Sequence, residues 1–177
     1  MKRVSIIMVN YNGLKFVGED DLREAIESFL STDYPDFEFI FVDNCSTDGS
    51  VNFVAKILSK YQVSSKIIRN NRNLGFAGGC NVGIKHATGY YICLVNNDDK
   101  PLNKGWLKEL VKVIESDPTI GAVFSKKSKW NNPSQIDARG MAINPAGFPA
   151  GSIVLKDCLL YTSDAADELD GVDLGGR

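Results

Sequence analysis

Val4-Ser5-Ile6-Ile7-Met8-Val9 is a short apolar run rich in β-branched residues, and Asn10-Tyr11-Asn12-Gly13 closes it. With Arg3 ahead of it, the run reads as a strand buried on both faces, since it lacks the polar alternation of a half-solvated one. Downstream the period changes. From Glu19 to Ser31, Leu22, Ala25, Ile26, Phe29 and Leu30 fall on one stripe of an amphipathic helix. Glu19, Asp20 and Asp21 open it, where the helix dipole favours negative charge, and Tyr34-Pro35 stops it. Phe37–Val42 is a second strand ending at Asp43. Ser46-Thr47-Asp48-Gly49-Ser50 then supplies capping residues for a helix through Val51, Val54, Ala55, Leu58 and Tyr61. A strand at Lys66–Ile68, a Gly-rich turn from Asn70 to Gly79 and a short helix from Asn81 to Ala87 follow. Next come a fourth strand at Tyr90–Val95, a helix marked by Leu107, Leu110, Val111 and Ile114, and a fifth strand at Ile120–Phe124. Beyond Ser128 the periodicity fades. Asn131 to Gly151 reads as loops with a short strand at Met141–Ile143.

Strands alternating with helices predict an α/β fold: a mostly parallel, doubly wound sheet with helices on both faces. In such sheets the ligand crevice lies outside the carboxyl ends of the strands. Three strands end in polar clusters, namely Asn10-Tyr11-Asn12, Asp43-Asn44 and Asn96-Asn97-Asp98-Asp99. All three are expected along one edge of the sheet, and that convergence is the sequence's strongest pointer to a site.

Composition narrows the function classes. Of 177 residues, 44% are hydrophobic and 24% charged, which excludes disorder, collagen and coiled coil. The net charge of -2 offers no general basic field for nucleic acid. Residues 161–177 hold Asp164, Asp167, Glu168, Asp170 and Asp173 against Arg177 alone, so the acidity sits in the tail and the body is slightly basic. Cys45, Cys80, Cys93 and Cys158 are widely spaced with no C-x-x-C, which argues against zinc and a disulfide framework. The first apolar run is too short for a signal peptide and lacks a small-residue cleavage site. The expectation is a cytoplasmic protein with reduced thiols.

The residue types at the polar edge suggest specific chemistry. Asp98 and Asp99, adjacent carboxylates after a buried strand, are hard oxygen ligands suited to Mg²⁺ or Mn²⁺, which clamp phosphate oxygens. The bland alternative is a turn built from Asn and Asp. Asp43 can accept a hydrogen bond from a nucleobase N–H or a ribose hydroxyl, or form a local turn that launches the next helix. The run from Asn73 to Gly83 permits close backbone approach to a ligand and frees N–H groups for phosphate. It matches neither G-x-G-x-x-G nor a Walker loop, and it follows the third strand rather than the first. The only histidine, His86, reads as a surface residue. Cys80 reads as packing, and Lys126, Lys127 and Lys129 as a solvated loop.

Four ordered motifs resemble the family 2 glycosyltransferases with the GT-A fold, especially the rhamnosyltransferase-like branch. They are Val4 to Gly13, Val42 to Ser50, Asn73 to Gly83, and Leu94-Val95-Asn96-Asn97-Asp98-Asp99, and the match covers roughly residues 3–155. The resemblance implies a nucleotide-sugar donor site and an inverting, metal-dependent transfer to an acceptor hydroxyl. Asn10 and Tyr11 would line the base pocket and Asp43 would hydrogen-bond the pyrimidine of a UDP or dTDP donor. Asn73, Gly75, Gly79 and Asn81 would lie near the ribose and diphosphate. Asn96-Asn97-Asp98 stands where the family has D-x-D, leaving Asp98 as the first metal ligand, Asp99 as the second and Asn97 beside the donor. The resemblance further implies surface polysaccharide biosynthesis with a saccharide or lipid-linked acceptor, in the cytoplasm at the inner face of the membrane.

The family's later acidic motif, which carries the general base, has no convincing counterpart, so no catalytic base is assigned. Residues 1–156 are read as a nucleotide-sugar-binding domain incomplete on its acceptor side. Residues 157–177 are read as a translated scar, and the echo of the base motif from Glu168 to Arg177 as coincidence. Two other readings stay open on sequence: a non-catalytic nucleotide- or sugar-binding module, and a nucleotidyltransferase. The latter would need a Gly-rich basic loop after the first strand, which Asn10-Tyr11-Asn12-Gly13 does not supply.

Overall fold

The computed structural model describes residues 1–129 and the backbone of three later strands, Asn132–Ala138, Met141–Ile143 and Pro149–Ser152. The chain divides into two compact units, Met1–Leu107 and Lys108–Arg177.

The first unit is built on β1 (Val4–Asn10), every residue of which is buried. It pairs in parallel with β2 (Phe37–Asp43) on one side and β4 (Tyr91–Asn96) on the other. β3 (Ser64–Arg69) pairs in parallel with β2, giving the order β3-β2-β1-β4. The central pair is apolar on both faces because helices cover both. On one face Ile7, Val9, Ile40 and Val42 pack with Cys80 of α4 (Gly75–His86). On the other, Ile6, Met8, Phe39 and Phe41 are fully buried. The apolar stripe of α2 (Glu19–Leu30) is buried from Leu22 to Leu30, and Val54, Ile57 and Leu58 are buried in α3 (Ser50–Leu58). Arg23 of α2 stacks over the Phe53 ring of α3 at 4.7 Å. A single helical turn, α1 (Gly13–Phe16), follows β1 directly.

α4 corrects the sequence reading. Its glycines suggested a turn from Asn70 to Gly79 and a helix only from Asn81 to Ala87, yet the helix begins at Gly75. The glycines bring the helix down onto the sheet. A Cβ at Gly79 would lie 2.6 Å from Val9 Cγ1, and one at Gly83 would overlap Ile7. Helix propensity yields here to close helix–sheet packing.

At the amino ends of the strands, Glu38 is buried in β2. Its Oε1 accepts from Ser5 Oγ (2.8 Å), Thr88 N (2.6 Å) and Thr88 Oγ1 (2.7 Å). The Lys66 ammonium lies 3.2 Å from Oε2. Burial pushes this carboxyl up, but hydrogen bonds from Thr88, Ser5 and Lys66 outweigh it and hold the pKa at about 2.

α5 (Trp106–Ile114) starts at the end of the first unit, where the Trp106 indole N–H donates to Thr32 Oγ1 (2.9 Å) and its ring meets Phe29 edge-on. In the second unit only Phe124 of the expected strand at Ile120–Phe124 makes a β-bridge, and no strand forms there. Ile120 is buried, but Gly121, Ala122 and Phe124 are exposed; an apolar run becomes a strand only when it finds a partner and a covered face. The supposed loop region carries strands instead. β5 (Lys127–Lys129) pairs antiparallel with β6 (Asn132–Ala138), and β7 (Met141–Ile143), the one strand foreseen there, pairs antiparallel with β8 (Pro149–Ser152). Register shifts interrupt both pairs, which is why no clean alternation marks them in sequence. The reading of residues 157–177 as a scar lies outside the described residues.

Candidate functional site

Parallel pairing brings the polar strand ends together. Asn10 stands opposite Asp43 in register, and Val9 opposite Asn96. The clusters after β1, β2 and β4 therefore share one edge, as expected from the sequence.

Asn10 is at the centre and is fully buried. Its Oδ1 accepts from Asn97 Nδ2 at 2.8 Å, and its own Nδ2 donates to Ser46 Oγ (3.2 Å) and Asp43 Oδ1 (3.4 Å). Its backbone oxygen accepts from Asn44 N at 2.8 Å. Gly13 makes room for this amide, because a Cβ there would overlap Asn10 Oδ1.

Asp43 is equally buried, and its Oδ2 accepts from Ser46 N at 3.0 Å, so it closes the turn toward α3 as well as bordering the edge. Ser46 Oγ also accepts from Asn12 N (2.8 Å), and Asn12 Oδ1 accepts from Thr47 N (2.8 Å). Asn12 adopts the left-handed conformation at φ 49°, which Asn tolerates. Asp48 Oδ2 accepts from Lys15 N (3.0 Å), and its Oδ1 from Ser50 N (3.0 Å) and Ser50 Oγ, fastening α1 to the start of α3. Burial pushes the Asp48 carboxyl up, and the hydrogen bonds from Ser50 and Lys15 bring it below the usual carboxylate range.

Asn44 joins the Gly-rich segment to the same edge. Its Nδ2 donates to Gly75 O (2.9 Å) and its Oδ1 accepts from Asn70 Nδ2 (2.8 Å). Asn73 Oδ1 accepts from Gly75 N at 2.8 Å, which holds the helix start with Gly75 at φ 71°. Asn73, Gly75 and Asn81 are exposed and Gly79 is buried. Tyr11 is exposed, its ring 6.3 Å from that of Phe16.

After β4, Asp98 is exposed and Asp99 half-buried. Asp99 Oδ2 accepts from Asn96 N at 3.4 Å. The described residues contain no group of three or more His, Cys, Asp or Glu able to hold a metal. Two carboxylates beside amides do fit a hard divalent cation that completes its shell with phosphate oxygens and water. A shallow cleft lined by Glu19, Arg23, Phe53 and Lys56 lies between α2 and α3 and includes none of these residues. His86 is exposed, its Nδ1 hydrogen-bonded to Val82 O at 2.9 Å, and burial raises the pKa of the Cys80 thiol. Both fit the structural roles expected of them.

Asn12 and Asn44 enter the sequence reading only as members of polar clusters, Ser46 as a capping residue and Asn70 as the start of a turn; none is given a role of its own in the site. Their signal lies in position: each follows a strand end by a few residues, as turn builders do, and only the register shows that the turns interlock.

A model described as Glycosyl transferase family 2 matches residues 5–161. The chain belongs to glycosyltransferase family 2. This family 2 chain is 38% identical over 97 residues to the putative glycosyltransferase EpsE of Bacillus subtilis, covering 55% of this chain and 33% of EpsE. It is 33% identical over 144 residues to the UDP-Glc:alpha-D-GlcNAc-diphosphoundecaprenol beta-1,3-glucosyltransferase WfaP of Escherichia coli, covering 74% of this chain and 54% of WfaP. It thus spans about a third to a half of these relatives' lengths. Among solved structures, Staphylococcus aureus TarS 1–349 superposes with TM-score 0.60 at 30% identity, covering 81% of this chain and 41% of that one. The mannosyltransferase PcManGT of Pyrobaculum calidifontis, in complex with GDP-Man and Mn²⁺, superposes with TM-score 0.65 at 24% identity, covering 75% and 37%. The fold is that of the GT-A glycosyltransferases.

Proposed function

We propose that this chain binds a uridine or thymidine diphosphate sugar at the shared strand-end edge and serves as the donor half of an inverting, metal-dependent glycosyltransferase. The observation that carries the reading is the meeting of three polar strand ends around Asn10, with the exposed carboxylate of Asp98 at one end and Asp43 at the other. Two relatives support the choice of nucleotide. WfaP is named for a UDP-glucose donor, and TarS 1–349, 26% identical with TM-score 0.54, has been solved with UDP.

In this reading Tyr11, Asn73, Gly75, Gly79 and Asn81 line the donor, and Asn10, Asp43 and Asn97 form the floor beneath it. Asp98, with Asp99, holds Mg²⁺ or Mn²⁺. Bound there, such a cation would supply stabilisation of negative charge on the departing diphosphate. The acceptor hydroxyl attacks the anomeric carbon on the face opposite the nucleotide. The bond from that carbon to the diphosphate oxygen breaks, and its electron pair leaves with the nucleotide. The hydroxyl proton goes to a base that we assign to none of the described residues. The acceptor is a saccharide or lipid-linked saccharide of a surface polysaccharide, and the reaction runs in the cytoplasm beside the membrane. The transferred sugar is of the hexosyl or rhamnosyl class that the branch resemblance suggests.

The test is incubation of the chain, alone and joined to the carboxy-terminal half of a longer relative, with UDP-, dTDP-, GDP- and CDP-sugars. Release of UDP or dTDP by the joined protein supports the proposal. Release of pyrophosphate, or preference for GDP- or CDP-sugars, overturns it.

A further inference from the structure

Asn10 sits between two elements with different tasks. On one side is the turn Asn97-Asp98-Asp99, on the other the turn from Asp43 to Ser46. The ladder of β4 against β1 ends at the pair Val9–Asn96, so the turn carrying Asp98 begins where strand pairing stops. The 2.8 Å bond from Asn97 Nδ2 to Asn10 Oδ1 carries the connection one residue further. The same amide reaches Asp43 Oδ1 and Ser46 Oγ through its nitrogen.

An amide suits this place on chemical grounds. Its oxygen must accept and its nitrogen must donate twice. A carboxylate could not donate to Asp43, a hydroxyl is too short to span both neighbours, and an apolar group would leave buried partners unsatisfied. With both amide protons donated inside the network and its oxygen held by Asn97, Asn10 acts on a ligand through its neighbours. Buried, satisfied networks of this kind hold their members in one geometry and couple them.

We infer that Asn10 is a positioning residue that couples the cation-binding turn at Asp98 to the nucleobase-binding end at Asp43, by way of its bond to Asn97. The inference rests on the donor-site reading above. Its consequence is reciprocal: what disturbs the turn weakens the hold on the base, although the base does not reach the turn.

The experiment uses uridine, which has no phosphate to meet a cation, and the full chain in chelator. Affinity is read by ligand-observed NMR for the unaltered chain, Asn97→Ala and Asn10→Ser. Asn97→Ala is expected to weaken uridine by about fivefold, within the usual range for coupled neighbours. It is also expected to shift the backbone amide resonance of Ser46, two links further along the network. Weaker uridine binding with Ser46 unmoved would mark a direct contact of Asn97 with the ligand and overturn the coupling. Uridine bound equally by the unaltered chain and Asn97→Ala, with Ser46 unmoved, overturns the coupling alone. Failure of uridine to bind the unaltered chain overturns the donor-site reading and the coupling with it. If Asn10→Ser does not unfold cooperatively, Asn97→Ala decides by itself.

Discussion

The α-carbon of Gly79 rests directly on Val9: a Cβ there would stand 2.6 Å from Val9 Cγ1 and 3.1 Å from Asn44 Nδ2. Both neighbours are fixed, Val9 in the central strand and Asn44 by its bonds to Gly75 and Asn70. Gly79→Ala should therefore destabilise the protein by about 1–3 kcal/mol through overpacking, despite alanine's better helix propensity. Urea unfolding measures this directly. An unchanged or raised midpoint would show that α4 moves off the sheet at no cost.

Glu38 makes stability depend on acid. Its folded-state pKa of about 2 lies below the ordinary 4.5, so its contribution is fully present above pH 4.5 and is lost as the pH falls through about 2. That contribution is on the order of 3 kcal/mol. Glu38→Gln should lower stability at neutral pH by about 1.5–3 kcal/mol, the range for a charged hydrogen bond. It should also flatten the acid limb of the stability profile between pH 5 and 2 (about the window set by the two pKa values). Denaturant midpoints across pH check both expectations, and parallel profiles for variant and parent would refute the assignment.

Much of the first unit was legible because its signals are local. The buried runs from Val4 and Phe37, the stripe from Leu22 to Leu30 and the polar residues at strand ends each say where they belong. What was not legible depends on neighbours. Glycines 75, 78 and 79 look like a turn until Val9 is seen beneath Gly79. Ile120–Phe124 looks like a strand until its exposure is known. Asn10 and Tyr11 are adjacent in sequence and looked alike as pocket residues; the end of β1 buries the first and exposes the second.

Cys45 carries backbone strain in the turn beside Asp43. Its φ of 66° is left-handed, a conformation that costs most residues roughly 1–2 kcal/mol. Its thiol makes only a weak contact, 3.6 Å from Asn71 O. Cys45→Gly should raise stability by about 0.5–1 kcal/mol, since relief of strain exceeds the added freedom of the unfolded chain. A lower melting temperature would mean that the thiol contact outweighs the strain.

Asp43 serves the fold and, in the proposed function, the base. Asp43→Ala should weaken UDP binding by about 1–3 kcal/mol, the cost of a lost charged hydrogen bond. It should also lower the melting temperature, because Ser46 N and Asn10 Nδ2 lose an acceptor. Calorimetric titration with UDP, dTDP, GDP and CDP completes the test. Tighter binding of GDP or CDP than of both UDP and dTDP would contradict base reading by this carboxylate.

The central claim is that a nucleoside diphosphate and a divalent cation meet at Asp98. It is tested most directly by isothermal titration of UDP into the chain with Mn²⁺ and, separately, with chelator, repeated for Asp98→Ala. The account predicts that Mn²⁺ tightens UDP by about tenfold or more in the unaltered chain, a typical coupling between linked sites, and that Asp98→Ala removes the difference. Equal UDP affinity with and without the cation in the unaltered chain would contradict it.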